Sequence, residues 1–323
     1  MVTIVGAGIA GLLAANMMAH RSPVIIEAQP TLPNNHSAIL RFRSSAVGDV
    51  LGIPFKKVTV VKSSLAWKNP VADAMAYAHK CGGISRSDRS LPLQTETVER
   101  FIAPPDLIKQ MADRLDRLHE GWFRPGEKWI FSGEKVVSTI PMPKLAELLG
   151  YKFPSWIRFQ WMPGINIGGK IADCDAYVTL YVANPAYDFS RISVTGDQII
   201  VECPGDHRTL PPGDSILGQA TEMLGFKWNR LHDVWVKRQD YVKIQPIDEG
   251  ERRHFIYWAG TEVAKAHSLG RFACWRPSLL ADDLVKDVRL IDGWLGSRSP
   301  AYDMQRHERE RDDNQGRARA GHP

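Results

Sequence analysis

Gly6, Gly8 and Gly11 stand near the start of the chain at the spacing G-x-G-x-x-G, and Glu27 follows 21 residues after the first of them. Each position has a separate chemical task. The first glycine makes a tight turn, the second lets backbone approach a pyrophosphate, and the third lets a helix pack closely on a strand. A helix opening in such a loop aims unpaired N–H groups and its positive dipole end at phosphates. A carboxylate at the end of the next strand accepts the ribose hydroxyls of an adenosine and repels a 2′-phosphate. Gly6, Ala7, Gly8, Ile9, Ala10, Gly11 and Glu27 are therefore candidate dinucleotide contacts, and NADP is disfavoured. A glycine-rich turn kept only for packing is the competing reading.

Such chemistry needs a βαβ unit to carry it. Residues 2–5 read as a short buried strand, 12–15 as an apolar helix, and 24–26 as a second strand ending in Glu27. An NAD dehydrogenase continues with further alternating strands and helices. Here residues 29–37 are polar and rich in Pro and Asn, read from the sequence as a loop, and no second G-x-G-x-x-G appears. Both features favour FAD.

The whole chain has 323 residues, 44% hydrophobic and 24% charged, which is globular usage and excludes disordered, collagen-like and membrane classes. Four cysteines, Cys81, Cys174, Cys203 and Cys274, show no C-x-x-C and no metal-ligand spacing. No metal site and no disulfide framework are expected, and a reducing compartment fits. The longest apolar stretch, 4–19, is broken by glycines and Asn16, so no transmembrane helix is expected. The expected location is the cytoplasm, a host cytoplasm if the source is viral.

The net charge of +5 is local. Residues 1–149 carry 18 basic and 13 acidic side chains, and the remainder carries 23 of each. Within 41–68, Arg41, Arg43, Lys56, Lys57, Lys62 and Lys68 face Asp49 alone. This stretch is a candidate anion-facing surface; a solvated basic face is the alternative.

Further along, 70–81 reads as a helix ended by Gly82-Gly83. Pro104-Pro105-Asp106 opens an amphipathic helix with Leu107, Ile108, Met111, Leu115 and Leu118 on one face. Residues 123–140 read as strand pairs forming a hairpin arm. Segments 156–161, 176–182, 191–194 and 199–202 suggest one antiparallel sheet, a substrate platform. A helix at 215–224, a strand at 241–244 and a helix at 279–294 follow, and the tail from Gln305 reads as disordered. The fold class expected is α/β, a Rossmann-type FAD-binding domain with an inserted antiparallel-sheet substrate domain. The expected boundaries are 1–69 (FAD-binding, first part), 70–122 (helical excursion), 123–150 (return), 151–245 (substrate domain), 246–304 (FAD-binding, carboxy-terminal part) and 305–323 (tail).

Three motifs together resemble the superfamily of flavin-containing amine oxidases, protoporphyrinogen oxidases and UDP-galactopyranose mutases. Gly6 to Gly11 with Glu27-Ala28 is similar to its FAD fingerprint. Val136-Val137-Ser138-Thr139-Ile140-Pro141 resembles the strand that completes its FAD domain. Ser268-Leu269-Gly270-Arg271-Phe272, followed by Trp275 and Asp282-Asp283, resembles its carboxy-terminal FAD motif. The resemblance implies FAD as cofactor, with Ala28, Val137, Gly270 and Arg271 among its contacts. The family's Gly-Gly-Arg turn is absent; Arg43 stands in roughly that region and is the candidate to reach the pyrophosphate. More narrowly, a compact basic flavoprotein of this kind resembles the FAD-dependent lyases of bacteriophage thymidine hypermodification, which implies DNA as a substrate.

Oxidation of an amine carbon needs no dedicated base, so the lack of a Ser/His/Asp or metal pattern is compatible with it. Arg191 and Tyr187 are candidate substrate contacts, since a guanidinium grips carboxylate or phosphate bidentately. His267, Tyr257 and Trp275 are candidates for the catalytic pocket. Trp156, Phe159 and Trp161 suggest a stacking platform for a base. Three functions follow: an FAD-dependent oxidoreductase or lyase cleaving a C–N bond of an amine or amino-acid-like group, a sugar-nucleotide mutase, or a non-catalytic flavin-binding protein. The expected substrate is anionic or an amine.

Overall fold

The computed structural model describes residues 1–27, 40–82, 91–92, 94–115, 118–120, 135–205, 213–263 and 265–297. Ala28, the expected hairpin arm before residue 135 and the tail lie outside them.

An unbroken apolar run suits a strand buried on both faces, and β1 (Val2–Val5) is buried throughout. Helix α1 (Ile9–Met17) crosses over to β2 (Pro23–Glu27), which runs parallel to β1 with Val5 opposite Ile26. Next come β3 (Arg41–Phe42), α2 (Ala46–Leu51), β4 (Lys56–Leu65) and α3 (Pro70–Gly82). They are followed by β5 (Glu96–Ile102), α4 (Leu107–Ala112), β6 (Leu118–Glu120), β7 (Val136–Ser138) and α5 (Met142–Leu149). A run of strands comes next: β8 (Trp161–Ile171), β9 (Ala176–Val182), β10 (Arg191–Gly196) and β11 (Gln198–Pro204). Helix α6 (Gly213–Met223), β12 (Leu231–Ile244), α7 (Glu249–Trp258), β13 (Ala266–Ser268) and α8 (Leu284–Gly296) complete the described chain.

Two sheets result. The first is parallel, in the order β13-β7-β1-β2-β6. Leu12 and Leu13 of α1 pack with Val288 and Ile291 of α8 in one core cluster on it. Leu145 of α5, Phe255 of α7 and Trp275 form a second cluster with Val5 and Val136. The second sheet has eight strands in the order β12-β8-β11-β10-β9-β4-β5-β3. It is antiparallel except where β4 runs parallel to β9. Ile216, Leu217 and Ala220 of α6 cover its apolar face with Ile165, Ile192 and Val201. This mixed α/β architecture is the kind the motifs imply.

Several local expectations are corrected. The strand expected at 156–161 begins only at Trp161, because 155–156 turn and Trp156 is 61% exposed. The stretch 70–122, read as helical, contributes β5 to the large sheet. The basic stretch is not a free anion-facing surface. Lys57 pairs with Glu99 at 2.6 Å and Lys62 with Glu96 at 3.2 Å across β4 and β5, and Lys56 reaches Tyr177 and Asp175. Arg41 donates to Thr195 Oγ1, Thr179 Oγ1 and the carbonyls of Val178 and Val194. Burial, chiefly, brings its pKa down to about 10. Four of the six cations thus meet partners on neighbouring strands, whereas Arg43 is exposed and Lys68 lies over the Trp67 ring.

All four cysteines carry free thiols. Among the described residues no helix is long and apolar enough to cross a membrane, and no group of three metal-ligating side chains occurs.

Candidate functional site

The three amino-terminal glycines have different surroundings. Gly6 has φ +98°, and a Cβ there would lie 2.0 Å from Thr139 Oγ1. That hydroxyl donates to the Val5 carbonyl at 2.8 Å, tying the loop to the end of β7. A Cβ on Gly11 would lie 1.8 Å from the Gly6 carbonyl oxygen, so only glycine lets α1 come this close. Gly8 is exposed and a Cβ would meet nothing within 4 Å, which leaves room for a ligand to approach the backbone. No side chain caps α1 at Gly8, so no side chain takes up its first-turn amides. Glu27 accepts a hydrogen bond from the Ala7 amide at 2.5 Å and so stands at the rim of the same loop.

The carboxy-terminal motif closes on this loop. Val137 sits opposite Ile4 on one side and His267 on the other. After β13 the Leu269 amide donates to the Ser138 carbonyl at 2.9 Å. Gly270 then turns with φ +96°, and a Cβ there would lie 3.2 Å from Ala10 Cβ at the start of α1. Arg271 donates to the Pro277 carbonyl at 2.6 Å. Asp282 Oδ1 accepts from the amides of Arg43 and Ser44, so the Arg43 segment is held beside the start of α8 with its own side chain exposed.

On the large sheet, Arg191 and Glu202 are directly opposed cross-strand residues and form an ion pair. Lys243 Nζ lies 3.9 Å from the same carboxylate. Burial works to raise the Glu202 pKa, but the charges of Arg191, Lys243 and Arg271 outweigh it and hold the carboxyl below its ordinary value. Arg191 is correspondingly raised: burial opposes its charge, and Glu202 more than compensates. One carboxylate thus sits among three cations drawn from β10, β12 and the Gly270 turn. Glu202 and Lys243 were missed in the sequence. The signal was available, since the turn at Gly196-Asp197 fixes a register that sets 191 against 202.

The remaining candidates disperse. Tyr187 packs against Phe189 at 5.5 Å in the core of the large sheet. Tyr257 is half-buried on α7, where its carbonyl accepts from Thr261. Trp275 is a core residue rather than a pocket wall: it is fully buried, donates Nε1–H to the Gln245 carbonyl at 2.8 Å, and meets Phe159 edge-on at 4.9 Å. His267 is 3% exposed and lies against Trp294 of α8, with Nδ1 unpartnered. Burial, helped by Lys135, lowers its pKa to about 4, so it is neutral at pH 7. The three-residue platform is also reduced. Trp161, 46% exposed, stacks on Tyr241 at 5.3 Å, and Tyr241 leads at 5.7 Å to Phe272. Phe159 belongs to the core below.

No protein-family model matches the sequence, and no curated protein matches it. Solved structures do match. Reduced UDP-galactopyranose mutase is similar with a TM-score of 0.63 at 13% identity, over 94% of this chain and 98% of that one. A geranylgeranyl bacteriochlorophyll reductase-like protein from Thermoplasma acidophilum is similar with a TM-score of 0.55 at 12% identity, over 96% and 83%. An FAD-dependent oxidoreductase from Pseudomonas aeruginosa is similar with a TM-score of 0.53 at 16% identity, over 91% of each chain. At such identities the likeness concerns architecture: the chain has the mixed α/β fold found in FAD-dependent enzymes.

Proposed function

We propose that the chain is an FAD-dependent oxidoreductase or lyase that oxidises and cleaves a C–N bond of an amine or amino-acid-like group. The observation that carries this reading is the meeting of two distant motifs, Gly270 against Ala10, beside the open backbone at Gly8. The residues suit the cofactor. The first turn of α1 would hold the pyrophosphate, Glu27 would accept from the adenosine ribose in place of the Ala7 amide, and the Gly270 turn would border the flavin. Arg43 stands beside the start of α8 as the cation for the phosphates. When bound, FAD supplies the two-electron acceptor for the carbon beside the amine nitrogen, after which water cleaves the C–N bond.

The chain's own groups select what is oxidised. Arg191, Lys243 and Arg271 converge on Glu202, a cationic cluster that suits a substrate bearing a carboxylate or phosphate. Trp161 on Tyr241 offers an exposed ring face for a planar group such as a nucleobase, worth about 1–3 kcal/mol per base. A glycyl-type adduct on thymine in DNA has both features and is the substrate proposed. Arg41, Lys56, Lys57 and Lys62 do not contribute to it, since partners on neighbouring strands occupy them.

Purified protein should be yellow with flavin absorbance bands, and should release glyoxylate from glycyl-modified DNA or an equivalent small amine. A colourless protein that takes up no FAD overturns the reading and leaves a partner-binding role. The mutual coverage with UDP-galactopyranose mutase favours a second reading, a redox-neutral sugar-nucleotide mutase. Isomerisation of a UDP-sugar that depends on dithionite, with no glyoxylate formed, selects it instead.

A further inference from the structure

Helices α7 and α8 flank a solvent-open pocket at the β13 edge of the parallel sheet, separated from β1 by β7. None of its lining residues is a candidate cofactor contact. Its polar side is built from Arg252, Arg253, Arg276, Asp287 and Ser268. Ile256, Leu290, Ile291 and Trp294 form the apolar side.

The polar groups are unequally engaged. Arg252 is fixed, donating to Glu249 at 2.7 and 2.6 Å and to the Cys274 carbonyl at 3.1 Å. Arg253 shares that carboxylate at 2.9 Å. Arg276, 28% exposed, reaches Asp287 only at 3.4 Å, a long contact that a better acceptor displaces. Burial opposes ionisation of Glu249, but the hydrogen bonds and charges of Arg252 and Arg253 bring its pKa to about 2. Arg252 and Arg253 thus share the Glu249 carboxylate, and Arg276 meets Asp287. Ser268 supplies an independent observation. It is 7% exposed, lines the pocket, and its hydroxyl has no hydrogen-bond partner. A buried hydroxyl without a partner is a cost the fold carries unless something else meets it.

We propose that this pocket binds a small ligand bearing one oxyanion group, phosphate or carboxylate, on a planar apolar body. Arg276 and the Ser268 hydroxyl grip the oxyanion, and the body lies along Trp294 and the adjoining apolar wall.

The test is calorimetric titration of the full chain, with and without added FAD, using phenyl phosphate, benzoate and phenol as probes. Saturable one-to-one binding of phenyl phosphate or benzoate is expected, with none for phenol. The tighter of the two identifies the oxyanion. Arg276→Met should weaken binding at least tenfold and Ser268→Ala about threefold, with melting temperatures near that of the parent. Arg276→Lys, which keeps the charge and loses the fork, should fall between and serves if Arg276→Met does not fold. No saturable binding, equal binding of phenol, or affinities unchanged in both Arg276→Lys and Ser268→Ala would overturn the proposal. Binding abolished by FAD would overturn it too, since the anion would then occupy the crevice at Gly8. Persistent binding by a chain that takes up no FAD supports the pocket and overturns only the cofactor reading.

Discussion

Asp282 Oδ1 accepts hydrogen bonds from the backbone amides of Arg43 at 2.7 Å and Ser44 at 2.9 Å, joining segments that lie 239 and 238 positions apart. The carboxylate fixes where the Arg43 segment stands relative to the start of α8. Its removal frees that segment rather than the core. Asp282→Ala should therefore weaken FAD binding about tenfold, roughly 1.4 kcal/mol, just below the low end of what a hydrogen bond to a charged group contributes. Asp282→Asn keeps an acceptor and should lose less. Titration of FAD followed by flavin fluorescence reads both.

Gly8 and Gly11 belong to one motif but should fail differently. A Cβ at Gly8 meets no protein atom, whereas at Gly11 it meets a backbone oxygen that cannot move aside. Gly8→Ala should melt within a few degrees of the parent and lose at least tenfold in FAD affinity. Gly11→Ala should lower the melting temperature markedly or leave the protein insoluble. Equal effects on stability from the two would contradict separate roles.

His267 gives a pH signature. Its pKa is lowered from 6.5 to about 4 in the folded state. Between those values the unfolded chain takes up a proton and the folded chain does not. Stability is thus fully present above pH 6.5 and falls as pH drops towards 4, by roughly 3 kcal/mol at about 1.4 kcal/mol per pKa unit. Denaturant midpoints of the parent should show this slope, and His267→Gln should remove it.

The sequence made the nucleotide loop legible because its signals are local. A turn, a close approach and a helix start all fall within Gly6 to Gly11, and Glu27 closes the unit. Lys56 to Leu65 were harder to read. Val58 and Val60 point inward with the period of a strand, but the lysines around them suggested a surface, and only Glu96 and Glu99 on β5 explain them. Trp275 was misread for a related reason. An aromatic next to a cofactor motif suggests a pocket wall, and its burial depends on Phe159 and Gln245, which are distant in sequence. Helix α7 and strand β13 carry too few periodic residues to announce themselves. Across the site, what depended on neighbours in sequence was readable, and what depended on neighbours in space was not.

The parallel pairing of β4 with β9 has a consequence for how this chain reaches its folded state. Val61 to Leu65 sit beside Val178 to Val182, so a strand made early has no inner neighbour until more than a hundred further residues exist. Until then β4 and β5 present a bare edge, open to mispairing with another chain. Such distant closure slows folding. A fragment ending near residue 150 should therefore aggregate through that edge, and the parallel sheet that carries the glycine loop likewise waits for β13, Ala266–Ser268, to complete it.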